Sequence, residues 1–212
     1  LELVRQSKNN KALIEIPSNA RSMLMVEVDG LADSLPESAK RIEQAAENSG
    51  LLLAQHAETS EQAAALWQAR KALSPALRKI APKKINEDIV VPVSHIPELI
   101  QTLETYAKKY DIDIVNFGHA GNGNIHVNLL IDPDDPKQKH NAELCLSDLF
   151  DLVLKLDGTL SGEHGVGTEK RDFVNREIDP LTMKLMRDIK QVFDPHNILN
   201  PGKMFPIQKI SD

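Results

Sequence analysis

The sequence predicts an α+β fold, a mostly antiparallel sheet covered by helices and laid out as tandem ferredoxin-like units. Three observations lead there. Alternating apolar segments and helix-period segments follow one another as βαβαβα, then a hairpin, then helices. The run Gly121-Asn122-Gly123-Asn124 joins two of the apolar segments and has the composition of a tight turn. Single crossovers mixed with a hairpin favour antiparallel pairing. No internal sequence repeat marks the duplication.

Residues 1–20 are mixed and polar and read as a leading segment. Residues 23–29 alternate, with Leu24, Val26 and Val28 on one side, as a half-buried strand does. Ser34-x-x-Glu37 has the form of a capping box, with Pro36 in the first turn of a helix that runs to about residue 48 and ends at Gly50. Residues 51–57 read as a second strand. Thr59-x-x-Gln62 is another capping box, opening a helix through about residue 79 that Pro75 breaks or kinks. A third strand covers 85–93. Ser94 then caps a helix with Pro97 in its first turn and an apolar stripe of Leu99, Leu103 and Tyr106. Strands at 112–118 and 125–131 flank the glycine-rich turn. Residues 132–136 form a loop. A long helix over 137–156 aligns Ala142, Leu146, Leu149, Val153 and Leu156, and Asp179-Pro180 starts a last helix to residue 193. Residues 194–203 form a loop.

Composition narrows the function classes. Of 212 residues, 41% are hydrophobic and 26% charged, the balance of an ordinary globular protein. A net charge of −6 argues against a basic face for nucleic acid. No run reaches the ~18 apolar residues of a membrane span. The single cysteine, Cys145, excludes an internal disulfide and a cysteine-rich zinc site; among apolar helix positions it reads as a buried structural thiol. Met183 and Met186 read as core. The chain opens Leu1-Glu2-Leu3-Val4 with no initiator methionine, which suggests a piece of something longer.

Chemistry concentrates in two short stretches, residues 116–128 and 161–167. They hold three of the seven histidines and six of the ten glycines. His119 and His126 flank the glycine-rich turn, and a hairpin brings the ends of its strands together, so both imidazoles could reach one point. Glu163, from the second glycine-rich loop, is the natural third ligand. Two imidazoles and a carboxylate suit Zn²⁺ or Mn²⁺ and leave positions open for water or substrate. The competing reading is a pair of hydrogen-bonded loop histidines. His164 reads either as a general base beside the cation or as a hydrogen-bond partner of the carboxylate. Asn128 shares a strand face with His126 and either holds a substrate oxygen or makes a structural hydrogen bond. Arg70 lies on a helix just after Trp67, the lone tryptophan, and Lys84 shares a strand face with Asn86 and Asp88. An arginine suits a bidentate grip on a carboxylate, yet taken singly each of these cations reads more readily as solvated surface charge. The spacing Gly162-x-x-Gly165-x-Gly167 is not that of a dinucleotide fingerprint.

The stretches 118–128, 161–167 and 193–203, the last reading Phe193-Asp194-Pro195-His196-Asn197-Ile198-Leu199-Asn200-Pro201-Gly202-Lys203, together resemble the C-terminal domain of FAD-linked oxidases. That family includes the flavin subunit of glycolate oxidase, cytochrome-linked D-lactate dehydrogenase and D-2-hydroxyglutarate dehydrogenase. The resemblance spans residues 21–205, leaving 206–212 as a tail. It implies an FAD-dependent 2-hydroxy-acid oxidoreductase whose N-terminal FAD-binding domain lies outside this chain, so that the isolated fragment is inactive. It implies a divalent metal, zinc in the usual case, on His119, His126 and Glu163, with His164 as base. Arg70, Lys84 and Asn128 would handle substrate oxygens, and Asn200 would approach the flavin. Two departures stand out. Asn122 replaces an Asp common in the family, and Asn86 competes with Lys84 for the lysine position. Expected partners are a small 2-hydroxy acid, the FAD domain, and a cytochrome, quinone or electron-transfer flavoprotein as acceptor, with a homodimer as a further expectation. The expected location is cytoplasmic, with peripheral contact at the inner membrane left open. The alternative from the residues alone is a stand-alone metal-dependent hydrolase using the same His/His/Glu set to activate water.

Overall fold

A computed structural model of the chain describes residues 16–207. Most of the expected leading segment 1–20 and of the tail 206–212 lies outside the described residues. The chain divides into two compact units, Leu1–Lys79 and Ile80–Asp212.

In the first unit two helices form, α1 (Leu35–Ala46) and α2 (Ser60–Leu77). The Thr59 capping box closes in both directions. The Gln62 N–H donates to Thr59 Oγ1 at 3.3 Å, and the Thr59 N–H donates to Gln62 Oε1 at 3.2 Å. The box at Ser34 does not close. A 3₁₀ turn over Ala32–Ser34 already leads into α1, so the Ser34 backbone is helical rather than extended and its hydroxyl donates back to the Leu31 carbonyl instead. Pro75 sits inside α2, which runs two residues beyond it to Leu77. The segments 23–29 and 51–57, expected as strands, join no ladder among the described residues. Alternation predicts an extended shape, but a strand also needs a partner for its N–H and C=O groups. Leu24, Val26, Leu52 and Leu53 stand exposed there.

The second unit is built on one antiparallel sheet of strands β1 (Lys83–Val90), β2 (Asp113–His119) and β3 (Asn124–Ile131), in the spatial order β1-β3-β2. Helix α3 (Ile96–Tyr110) connects β1 to β2, and β3 inserts between them. Helix α4 (Pro136–Lys155) follows β3. This βαββα order is that of one ferredoxin-like unit, in which the place of a fourth strand is taken by a single bridge between Val90 and Thr159. The observed class is therefore α+β, and a second such sheet does not occur among the described residues.

Register divides the sheet into two chemically different faces. Ile89 on β1 and Ile125, Val127, Leu129 and Ile131 on β3 meet Leu99 and Leu103 of α3 and Leu149, Phe150 and Val153 of α4 in the core. Cys145 is in the same core, where burial pushes its thiol up to about 12. The alternate residues point the other way. On that face Asn86 pairs with Asn128, Asp88 with His126, and Phe117 with His126 across the ladder. Central strand β3 is buried along its whole length, its polar residues included.

Helix ends follow the sequence where an aspartate precedes a proline. Asp135 accepts from the N–H groups of Lys137 and Gln138, starting α4 at Pro136. Asp179 does the same for Leu181 and Thr182 at the start of α5 (Pro180–Phe193). Ser94 does not cap α3: a 3₁₀ turn over Val93–His95 intervenes. Met183 of α5 is buried and Met186 half-buried, while Leu181, Leu185, Ile189 and Val192 of the same helix are exposed.

Candidate functional site

The turn between β2 and β3 sets the first half of the site. Ala120–Asn122 make a single 3₁₀ turn, and Gly123 reverses the chain with φ of +78°. A Cβ at Gly123 would stand 1.9 Å from the Val91 carbonyl oxygen, so position 123 requires glycine on both conformational and steric grounds. The reversal leaves His119 at the end of β2 and His126 on β3, their ring centroids 5.9 Å apart. The Phe117 ring lies tilted to that of His126, with centroids 5.9 Å apart.

The loop 161–167 supplies the second half. Glu163 Oε1 lies 3.4 Å from His126 Nε2 and 3.9 Å from His164 Nε2. The rings of His126 and His164 stack with centroids 5.4 Å apart. One ligand atom each from His119, His126 and Glu163 lies within 4.8 Å of the others. His126 is buried, whereas His119, Glu163 and His164 are exposed, so the cluster opens to solvent on one side.

Electrostatics favour neutral imidazole at the centre. Burial pulls the His126 pKa below its usual value, Asp88 and Glu163 oppose that pull, and the neighbouring His164 and His119 add to it. Neutral imidazole is the form that ligates a metal. The residues present fit a divalent cation. A tetrahedral ion with bonds of ~2.0–2.1 Å holds its donors ~3.3 Å apart, and the His126–Glu163 pair stands at 3.4 Å before any ion draws it in. His126 Nδ1 is buried and has no hydrogen-bond partner among the described residues, so Nε2 is the nitrogen turned toward the carboxylate.

The other expected residues fall in different places. Asn128 is fully buried and its amide is engaged by the protein itself. Its Nδ2 donates to the carbonyls of Val115 and His126, and its Oδ1 accepts from Asn86 Nδ2 at 2.8 Å. Asn86, also named as a competitor for the lysine position, is therefore tied directly to Asn128. Lys84 is half-buried on the same face of β1. Asn200 lies in an exposed loop with φ of +48°, and its Oδ1 accepts from Lys203 Nζ at 3.3 Å. Arg70 stands half-buried on α2 in the first unit.

Two residues that sequence reasoning did not single out sit behind the site. Asp88 is fully buried, and its carboxylate accepts from the loop that carries Glu163 and His164. Burial works to raise its pKa, but the N–H of His164, the Asn124 amide, the N–H of Glu163 and the Lys170 charge outweigh that and hold it at about 2. Lys170 is also buried, and its ammonium donates to the carbonyls of Asp88 at 2.6 Å and Leu160 at 2.7 Å. Glu87, 3.8 Å from that ammonium, is pushed up to about 7 by burial, against the pull of Lys170. Alternation of Lys84, Asn86 and Asp88 was the available signal; the partner loop was not visible in it.

This geometry can be set beside known proteins. The family described as FAD linked oxidases, C-terminal domain, matches residues 1–204. The chain is 36% identical over 194 residues to the glycolate oxidase subunit GlcD of Bacillus subtilis, covering 92% of this chain and 41% of that protein. It is 32% identical over 200 residues to the mitochondrial D-lactate dehydrogenase [cytochrome] of Arabidopsis thaliana, covering 93% of this chain and 34% of the relative. It is 35% identical over 153 residues to the D-2-hydroxyglutarate dehydrogenase of Stutzerimonas stutzeri, covering 70% and 32%. The chain thus spans about two-fifths or less of the length of these relatives. Among solved structures, 4-ethylphenol oxidase from Gulosibacter chungangensis shares the fold, with a TM-score of 0.57 at 16% identity over 83% of this chain and 37% of that one. The chain belongs to the family of FAD-linked oxidase C-terminal domains.

Proposed function

From that membership, we propose that these residues form the substrate-binding, metal-holding domain of a flavin-dependent D-2-hydroxy-acid dehydrogenase or oxidase. The substrate class is that of D-lactate, glycolate or D-2-hydroxyglutarate. The observation that carries the metal part is the meeting of His119, His126 and Glu163, with ligand atoms within 4.8 Å, beside His164. In such a reaction the substrate gives up its hydroxyl proton and its Cα hydride to become a 2-oxo acid, a divalent cation supplying charge stabilisation at the oxygen and FAD accepting the hydride.

The chain's own residues would divide the remaining work. His119, His126 and Glu163 hold the cation. His164 stands on the solvent side, with Nε2 3.9 Å from Glu163, as the base for the hydroxyl proton. Arg70 takes the substrate carboxylate on the strength of the family resemblance, a guanidinium being the bidentate partner such a group needs. Lys84 is the further cation for substrate oxygens. Asn128 would act from within: with its amide bonded to Asn86, Val115 and His126, it orients Asn86 and the His126 backbone. Asn200 is the proposed flavin contact. The acceptor for the electrons of the whole protein would be a cytochrome, a quinone or an electron-transfer flavoprotein.

Anaerobic mixing of the intact flavoprotein with each of the three acids, followed by flavin absorbance, tests this reading. Bleaching by one of them, lost on metal chelation and restored by zinc, is the expected result. A protein that binds no flavin and hydrolyses esters or amides in a zinc-dependent way would establish the hydrolase instead.

A further inference from the structure

We propose that Asp88 is a positioning residue that builds the metal- and base-bearing loop onto the sheet. Its Oδ2 accepts three successive backbone N–H groups, those of Gly162 at 2.9 Å, Glu163 at 2.7 Å and His164 at 2.8 Å. Its Oδ1 accepts from the Asn124 side-chain amide at 2.5 Å. Three consecutive amides converging on one oxygen form a small anion cradle, and here the anion is a side chain of the same protein.

The location gives this anchor its consequence. Asp88 is the cross-strand partner of His126, and Asn124 begins the strand that carries His126. One carboxylate therefore references the loop bearing Glu163 and His164 to the strand bearing a proposed ligand. Gly162 lets the loop approach: a Cβ there would stand 2.0 Å from Asn124 Nδ2 and 2.8 Å from Asp88 Oδ1. Lys170 closes the arrangement from below, bridging the carbonyls of Asp88 and Leu160 and so tying β1 to the residue just before the loop. Every partner of the Asp88 carboxylate is fixed within the fold, so the residue acts through Glu163 and His164 and not on substrate.

The inference rests on the proposed metal site for its functional meaning, and its test separates the two. In the intact flavoprotein, Asp88→Asn and, separately, Gly162→Ala are compared with wild type by backbone hydrogen exchange and by calorimetric titration with Zn²⁺ alone. Expected are faster exchange at residues 162–164 with protection retained along β3, and zinc affinity weakened about 10–100-fold, the usual cost of losing a group that orients a ligand. Wild-type exchange in the loop of a folded variant, or unchanged zinc affinity with the loop released, overturns the proposal. Should Asp88→Asn fail to fold, Gly162→Ala decides it, because the carboxylate is intact there and only the seat of the loop is lost. If wild type itself takes up no zinc, the metal reading fails, while the exchange measurement still decides whether Asp88 holds the loop.

Discussion

The Glu163 carboxylate lies 3.4 Å from the buried imidazole of His126, although the two residues come from a loop and a strand separated by the whole of α4. Neither side chain has an obvious packing reason to be there. Glu163 is exposed, and His126 leaves its second nitrogen buried without a partner among the described residues. The proposed shared cation would account for the approach.

His126→Ala removes the proposed buried ligand. We expect zinc binding to the intact flavoprotein to weaken, and oxidation of its 2-hydroxy acid to fall, by at least ~10-fold. Metal content by elemental analysis and turnover with a dye acceptor check the two halves independently. Full zinc content at undiminished turnover contradicts the ligand assignment.

His164→Gln separates base from ligand. The proposed base is worth about 10²–10⁴ in rate, whereas zinc affinity should stay close to wild type because His164 lies outside the His119, His126 and Glu163 set. Parallel loss of zinc and rate would move His164 into the ligand set.

Gly123→Ala tests the turn that aligns the two histidines. With φ of +78° and the Val91 carbonyl 1.9 Å from the added methyl, the substitution forces the turn to open. A loss of about 2–4 kcal/mol in urea unfolding is expected, the range in which strained backbone positions fall. Zinc affinity should drop with it.

Glu87 predicts a pH dependence of stability. Its pKa is raised from 4.5 to about 7 in the fold, first by burial, against the pull of Lys170. A carboxyl with a raised folded value takes up a proton on folding. Its contribution is therefore fully present below pH 4.5 and is lost as pH rises through about 7. Relative to Glu87→Gln, wild type should lose stability across that window. Urea midpoints measured at several pH values give the comparison, and parallel curves for the two proteins would show that Glu87 does not titrate there.

Much of the site was legible because it depends on local patterns. His119 and His126 flank a turn that four glycine and asparagine residues announce, and Glu163 and His164 stand between glycines in a second short stretch. The helices that begin at Pro136 and Pro180 were legible for the same reason, their caps lying next to them in sequence. Asp88 was not. As one polar residue in an alternating strand it looks like any other, and its role comes from N–H groups on a distant loop. The Asn128 amide had two open readings, and only the cross-strand register showed Asn86 as its partner. Segments 23–29 and 51–57 have the alternation of strands but lack the neighbour that turns alternation into a ladder. Ser34 and Ser94 match a capping pattern, yet each is drawn into a 3₁₀ turn that sequence spacing does not reveal.

The contacts that seat residues 162–164 are made by main-chain amides, which every amino acid except proline possesses. Beyond Gly162, the shape of this segment is thus uncoupled from the side chains it displays. Positions 163 and 164 form a socket whose contents can be exchanged, a carboxylate for a thiolate or an imidazole for an amide, without redesigning the support beneath. That separation makes the segment a natural starting point for installing a different ion or a different acid–base group on the same scaffold.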